Sequence, residues 1–159
     1  MGTNASGERE RDERLIDLRR DVPEGYRALA AVTRSAGILG DGLDELVKVR
    51  ASMVNGCAYC IDTHVARAVK DGEDPRRLHA LAAWRDSLVF SERERAALTL
   101  TDAMTEISGA ADLQPALEAA GAHFPGEELG RLAMAIIAIN AWNRAAIASG
   151  LRPPPLGAG

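Results

Sequence analysis

Both cysteines of the chain and one of its three histidines lie in the stretch NGCAYCIDTH, residues 55–64. Cys57 and Cys60 are three positions apart, and His64 follows four positions later. On an α-helix this spacing puts all three side chains on one face. Such a group could hold a metal ion or act as a thiol redox pair. It could also be two small buried residues beside a histidine.

The predicted position of Cys57 favours thiol chemistry. Asn55-Gly56 indicates a turn, so Cys57 should lie at or near the N-terminus of the helix that follows. Unpaired N–H groups and the helix dipole stabilise a thiolate there. A thiolate with a second thiol three residues away can attack a substrate and then close a disulfide.

Other uses of two cysteines and a histidine fit less well. A c-type haem needs histidine directly after the second cysteine, where this chain has Ile61. Structural zinc takes four ligands, whereas this cluster supplies three. Glu45 would be an unusual fourth ligand, and His79 and His123 are distant in sequence. A thioredoxin-type motif needs a βαβ setting, and no strand pattern is present. The favoured interpretation is a helical thiol redox site, with zinc as an alternative.

The elements that must position these residues are predicted to be helices. Helix start and stop signals recur, and sustained alternation of apolar and polar residues is missing. The prediction is an all-α domain over residues 21–150, with flexible tails at 1–20 and 151–159. About seven helices are expected, beginning near Pro23, Asp41, Cys57, Pro75, Ser91, Pro115 and Glu127. Ser91 and Glu94 are expected to form a capping box.

An acid that could orient His64 lies on the preceding helix. Glu45 is about ten residues before the turn and His64 about eight after it, so at roughly 1.5 Å per residue both reach a similar height. If the two helices are antiparallel neighbours, Glu45 can face His64. Burial on a partly apolar face would raise the pKa of Glu45 and suit it to proton transfer. The alternative is an exposed acid that pairs with Lys48.

Composition narrows the class of protein. The chain has 159 residues, 47% hydrophobic residues and a formal net charge of −4, and its arginines are interspersed with acids. One soluble domain is expected, with no nucleic-acid partner. The first twenty residues contain no apolar stretch of a signal peptide, and the apolar segment 132–148 is short and polar for a membrane span. We therefore expect a cytoplasmic protein without a membrane anchor. No phosphate loop is found, so no cofactor is expected.

The last predicted helix is apolar nearly all round over residues 132–142, which favours subunit contacts and hence a homo-oligomer. Asn143 or Arg144 could line a pocket near the cysteines; the alternative is helix capping and subunit pairing. Trp84 and His79 are interpreted as packing and surface residues.

The spacing Glu45-x11-Cys57-x2-Cys60-x3-His64 resembles the motif of the alkylhydroperoxidase D (AhpD) branch of the carboxymuconolactone decarboxylase family. The resemblance covers about residues 23–150. It includes the segments ELVKVRASMVNGCAYCIDTH, LHALAAWRDS, FSERERAALTLTDAMTEI and AINAWNR.

This resemblance implies an all-α fold, a trimer or hexamer, and the reduction of organic hydroperoxides in antioxidant defence. It implies that Cys60 is the peroxidatic thiolate, that Cys57 resolves the sulfenic acid as a disulfide, and that Glu45 and His64 relay protons. An external dithiol, of the lipoyl type in the family's known case, would reduce the disulfide.

One position departs from the family's best-known member, which has a second histidine just before the peroxidatic cysteine. Here Tyr59 stands in that place, and tyrosine is a weaker proton relay near neutral pH. Tyr59 could be a packing residue or a hydrogen-bond donor. Two other functions stay open: a decarboxylase-like enzyme, which does not depend on a CxxC pair, and a redox-sensing helical oligomer without turnover.

Overall fold

The computed structural model describes residues 15–37, 39–40, 42–109 and 112–155. These residues contain eight α-helices and one 3₁₀ helix, and no strand is found among them, so the all-α prediction is confirmed. The helices are α1 (Leu18–Asp21), α2 (Pro23–Ser35), α3 (Leu43–Val54), α4 (Ala58–Lys70), α5 (Pro75–Ala80), α6 (Glu92–Thr105), α7 (Leu113–Gly121) and α8 (Glu127–Ala148), and the 3₁₀ helix is Leu81–Ala83.

The helix starts follow local capping chemistry. The predicted capping box is present: the Ser91 hydroxyl accepts from the Glu94 backbone N–H, and the Glu94 carboxylate accepts from that of Ser91. Asp112 caps α7, which therefore begins before Pro115. Asp41, the predicted start of α3, lies outside the described residues, as do residues 1–14 and 156–159 of the predicted tails.

Helix α3 is the central element, because its opposite faces enter two apolar clusters. Leu43 and Val47 pack with residues of α6, α7 and α8, mostly alanine and leucine. Leu46 and Val49 pack against α4, α5 and α6. Trp84 is buried in that second cluster, and His79 is exposed, as predicted for both. The central position of α3 holds Glu45 at a fixed height beside α4.

A buried carboxylate ties α3 to α6. Asp102 of α6 is 2% exposed. Arg50 of α3 donates from Nε and Nη2 to its two oxygens, at 2.6 and 3.1 Å. Arg85 Nη1 lies 2.7 Å from Asp102 Oδ2, and Trp84 Nε1 donates to the same oxygen at 3.2 Å. Two guanidinium groups and an indole therefore compensate the buried charge.

Helix α8 packs against α2, α3, α4 and α6 within one chain. Most of its apolar residues are buried or partly buried there, whereas Ile137 and Ile147 stay about half exposed. Of the helices that the structure describes, none is long and apolar enough to cross a membrane. Much of the apolar surface of α8 is thus covered without a second subunit, and the oligomer stays a prediction.

Candidate thiol site

The turn between α3 and α4 sets the position of both cysteines. Gly56 has φ 68°, a left-handed conformation that glycine adopts without strain. Cys57 is the N-cap of α4, and its sulfur accepts a hydrogen bond from the Cys60 backbone N–H at 3.3 Å. A disulfide joins Cys57 to Cys60, with their Cα atoms 5.3 Å apart. The structure therefore shows the pair oxidised, at the helix start that the sequence predicted.

The disulfide is buried, but its two sulfurs have different surroundings. Cys57 is 2% exposed and Cys60 5%, and both pack against Ala146 of α8 and Leu151. Leu151 is held there because its backbone N–H donates to the Ala146 carbonyl at 3.0 Å, after a left-handed Gly150 with φ 64°. Cys60 also lines a pocket, and Cys57 does not. A molecule in the pocket therefore reaches Cys60 first.

The structure brings Glu45 and His64 together across the α3–α4 hairpin. Glu45 Oε2 lies 2.7 Å from His64 Nδ1, and Lys48 Nζ donates to Glu45 Oε1 at 2.8 Å. The lysine pairing and the histidine contact, which the sequence posed as alternatives, thus occur together, one on each carboxylate oxygen. His64 and Cys60 line the same pocket.

The expected direction of the Glu45 pKa is wrong. Burial raises the pKa of Glu45, but hydrogen bonds from His64 and Lys48 and their positive charges outweigh burial and lower it from 4.5 to about 2. Glu45 is therefore a carboxylate at neutral pH and can only accept hydrogen bonds. His64 Nδ1 must then carry a proton, and this N–H donates a hydrogen bond to Glu45 Oε2. This arrangement orients the imidazole and leaves Nε2 as the nitrogen that can exchange a proton with a ligand or a thiol.

This lowered pKa makes a testable contribution to stability. Because the folded-state pKa of Glu45 lies below its ordinary value, its carboxylate stabilises the fold above pH 4.5, and that stabilisation is lost as pH falls towards 2. Glu45→Gln should lower the free energy of unfolding at pH 7 by up to about 3 kcal/mol. It should also flatten the pH dependence of stability in that window. Urea unfolding followed by circular dichroism measures both.

The exposed helix acid Glu92 supplies the control, because Glu92→Gln removes a carboxylate of α6 that is exposed to solvent. Glu92→Gln should change the free energy of unfolding by less than about 1 kcal/mol and keep the wild-type pH dependence. If Glu45→Gln behaved like Glu92→Gln, the Glu45 carboxylate would not be held by His64 and Lys48.

The pocket in front of Cys60 has a volume of about 580 Å³. Helix α2 closes one side of it: Trp142 Nε1 donates to Thr33 Oγ1 at 2.8 Å, and the Tyr26 ring meets the Trp142 ring edge-on with centroids 4.9 Å apart. Tyr59 also lines the pocket and is 37% exposed. Its ring is therefore available to a bound molecule. Apolar walls come from Ala30, Ala135, Ala138, Ile139 and Leu151.

Two asparagines of α8 form hydrogen bonds with residues at the turn before Cys57 and do not line the pocket. Asn143 is fully buried; its Oδ1 accepts from Asn55 Nδ2 and its Nδ2 donates to Ser52 Oγ, both at 2.9 Å. Asn140 Oδ1 accepts from Asn55 Nδ2 at 2.9 Å as well. The only sequence signal for this network is the pair of asparagines in an otherwise apolar helix. The network fixes the turn that starts α4.

The pocket interpretation of Asn143 and Arg144 is wrong, since neither side chain lines the pocket. Arg144 is exposed and donates to the Asn140 carbonyl at 2.9 Å and to its Oδ1 at 3.1 Å. It therefore supports the network from outside.

The zinc alternative needed a fourth ligand beside Cys57, Cys60 and His64. Within the part of the chain that the structure describes, no group of three or more histidine, cysteine, aspartate or glutamate side chains could hold a metal ion.

Known proteins are similar to this chain in sequence. Residues 20–103 match the carboxymuconolactone decarboxylase family. An uncharacterized protein of Bacillus subtilis (strain 168), YdfG, is 39% identical over 108 residues, which cover 68% of this chain and 74% of that protein.

Two solved structures are also similar. One is a protein of unknown function from Agrobacterium tumefaciens, described as a candidate antioxidant defence protein AhpD. It is 35% identical, with a TM-score of 0.82, and the match covers 90% of this chain and 100% of that one. The other is the alkylhydroperoxidase AhpD core of an uncharacterized peroxidase-related protein from Ralstonia eutropha JMP134. It is 25% identical, with a TM-score of 0.73, over 86% of this chain and 74% of that one.

Proposed function

This chain belongs to the carboxymuconolactone decarboxylase family, in its AhpD-like branch, and from that premise we propose that it is a thiol-dependent reductase of organic hydroperoxides. The observation that carries the proposal is the placement of Cys60. The Cys60 sulfur is half of a disulfide, and Cys60 lines a pocket large enough for a small organic molecule. His64, which is paired with Glu45, lines the same pocket.

The chemistry starts from the reduced pair. The Cys60 thiolate attacks the O–O bond of the hydroperoxide, which breaks; one oxygen stays on sulfur as a sulfenic acid, and the other leaves as an alcohol after taking a proton. His64 supplies that proton from Nε2, because its Nδ1 is engaged by Glu45, which orients the ring. Cys57 then attacks the sulfenic sulfur and expels water, which leaves the disulfide. The two thiols have supplied the two electrons.

An external dithiol must return the pair to its reduced form by thiol–disulfide exchange. Attack on Cys60 from the pocket makes Cys57 the leaving thiolate. The Cys60 backbone N–H points at the Cys57 sulfur, at 3.3 Å, and stabilises negative charge there. The same N-cap geometry therefore helps to open the disulfide. In this proposal Tyr59 donates a hydrogen bond to the bound peroxide, since its ring borders the pocket.

Mass spectrometry of the intact protein tests the proposal. The reduced protein, given one equivalent of cumene hydroperoxide, should lose two hydrogen atoms, and peptide mapping should place the new bond between Cys57 and Cys60. In Cys57→Ser the same treatment should instead add one oxygen atom to Cys60, and dimedone should trap it as a sulfenic acid. An unchanged mass with both thiols free would contradict the proposal.

The same reagents separate the proposal from its alternatives. A decarboxylase-like enzyme does not depend on a CxxC pair, so the position of Cys60 at the pocket favours the peroxidase. A redox sensor would form the disulfide once and would not turn over with an added dithiol.

We also propose a homo-oligomer, a trimer or hexamer, with Ile137 and Ile147 of α8 at subunit contacts, because both are about half exposed in one chain.

A further inference from the structure

Some of the charged side chains around the pocket are paired with other groups of the protein, and some are not. Apart from the histidine, five of them line it: Asp17, Arg19, Asp44, Lys48 and Arg67. Three of these side chains are basic and two are acidic, so positive charges outnumber negative charges in the lining. What matters for a ligand is which of these charges the protein itself already uses.

Both acids and the lysine are engaged by the protein. Asp17 Oδ1 accepts from the backbone N–H groups of Arg19 and Arg20 at 3.1 and 3.2 Å, as the cap of α1. Asp44 Oδ2 accepts from the Leu39 backbone N–H at 2.8 Å. Lys48 is paired with Glu45. These contacts leave the guanidinium groups of Arg19 and Arg67 as the cations that a ligand can use.

Arg19 and Arg67 have no carboxylate partner within residues 15–37, 39–40, 42–109 and 112–155. Both are exposed at the pocket. Arg67 follows Cys60 by seven positions on α4, which places the two on the same helix face about 10 Å apart along the axis. His64 lies between them on that face. Cys60, His64 and Arg67 therefore follow one another along the face of α4 that lines the pocket.

Part of the pocket wall is apolar. Ala135, Ile139 and Trp142 of α8 and Tyr26 and Ala30 of α2 line it. A hydrocarbon segment would be removed from water there, while a carboxylate beside Arg67 and Arg19 would gain charge-assisted hydrogen bonds.

We propose that the pocket selects amphipathic hydroperoxides that carry a carboxylate, such as hydroperoxides of fatty acids. The peroxide group sits at Cys60 and the carboxylate at Arg67 and Arg19, which line the same pocket. Along α4 the backbone position of Arg67 lies roughly 10 Å from that of Cys60. The inference rests on the proposed peroxidase function for its reactive end, and on the arginine pair for its specificity. Neutral hydroperoxides contact the same apolar residues but make no ion pair with Arg19 and Arg67.

Binding of unreactive analogues tests the arginine pair without any turnover. Octanoate and octanol share the hydrocarbon and differ in the head group, and Trp142 in the pocket wall reports binding by its fluorescence. The wild type should bind octanoate at least about tenfold more tightly than octanol. The double variant Arg19→Gln/Arg67→Gln should lose that preference and bind octanol as before.

The matched control is Arg76→Gln, which removes an exposed arginine of α5 that does not line the pocket. It should keep the wild-type preference for octanoate. Equal affinities for octanoate and octanol in the wild type, or an unchanged preference in the double variant, would overturn the inference. So would tighter binding of octyl phosphate than of octanoate by tenfold or more, because the head group would then be a phosphate ester.

A parallel assay keeps the two proposals apart. Reduction of cumene hydroperoxide, which carries no charge, tests the peroxidase by itself and is measured in the wild type and in Arg76→Gln, whose altered side chain lies outside the pocket lining. If cumene hydroperoxide is not reduced while the arginines still govern octanoate binding, the peroxidase fails and the carboxylate site stands. If it is reduced while octanoate has no preference, the peroxidase stands and the carboxylate specificity fails.

Discussion

Cys60→Ser should reduce the consumption of cumene hydroperoxide, with an added dithiol, by at least about a thousandfold, to the uncatalysed rate. The hydroxyl of serine stays protonated in this setting and is a far weaker nucleophile than a thiolate. Because Cys60 lines the pocket and Cys57, the other cysteine of the chain, does not, no second thiol can take its place. Peroxide loss is measured with a ferrous-iron dye assay, and circular dichroism checks that the helices are intact.

Cys57→Ser is the matched control, since it removes the other sulfur of the same disulfide. It should consume one equivalent of peroxide per chain and then stop, because no resolving thiol remains to close the disulfide with Cys60. Parental turnover by Cys60→Ser would show that the reactive thiol is misassigned. Full turnover by Cys57→Ser would show that resolution comes from the external dithiol directly.

Asp102→Ala should have the largest effect on stability, a loss of about 3–5 kcal/mol in the free energy of unfolding. The variant leaves the Arg50 guanidinium, whose side chain is 15% exposed, without the carboxylate that accepts from two of its nitrogens. Trp84 Nε1 loses its acceptor in the same step. Urea unfolding followed by circular dichroism gives the free energy.

The exposed Asp86 provides the comparison, and Asp86→Ala should cost less than about 1 kcal/mol. Since small domains are stable by only about 5–15 kcal/mol, Asp102→Asn is the milder second variant, which keeps an acceptor oxygen for Trp84. A loss below about 1 kcal/mol in both Asp102 variants would mean that the buried ion pair contributes no net stability.

Local signals in the sequence predicted most of the helices. Pro23, Pro75 and the Ser91 capping box start helices where the structure has them, because these signals act through the backbone of the same turn. Helix α1 was missed. It has four residues, too few for an apolar period, and depends on the Asp17 side chain that caps it.

The part of the site that lies within the α3–α4 hairpin could be predicted from the sequence. Glu45 and His64 are 19 positions apart, and the helical rise alone puts them at one height. The pKa of Glu45 was predicted in the wrong direction, because it depends on Lys48 and His64 binding the same carboxylate at once. Asn143 was also misplaced. Its partner Asn55 is 88 positions away, and no local pattern reports that contact.

The cover over the disulfide comes from a late part of the chain. Cys57 and Cys60 pack beneath Ala146 and Leu151, whereas the α3–α4 hairpin that carries them is complete long before. During synthesis the ribosome therefore releases the cysteine pair well before α8 exists to cover it. Until α8 packs against them, the thiols of the nascent chain are exposed to any oxidant in their compartment, because no pocket yet limits which molecules reach them. The redox state of the newly made protein is thus set by its surroundings, and only the finished fold restricts which molecules can change it.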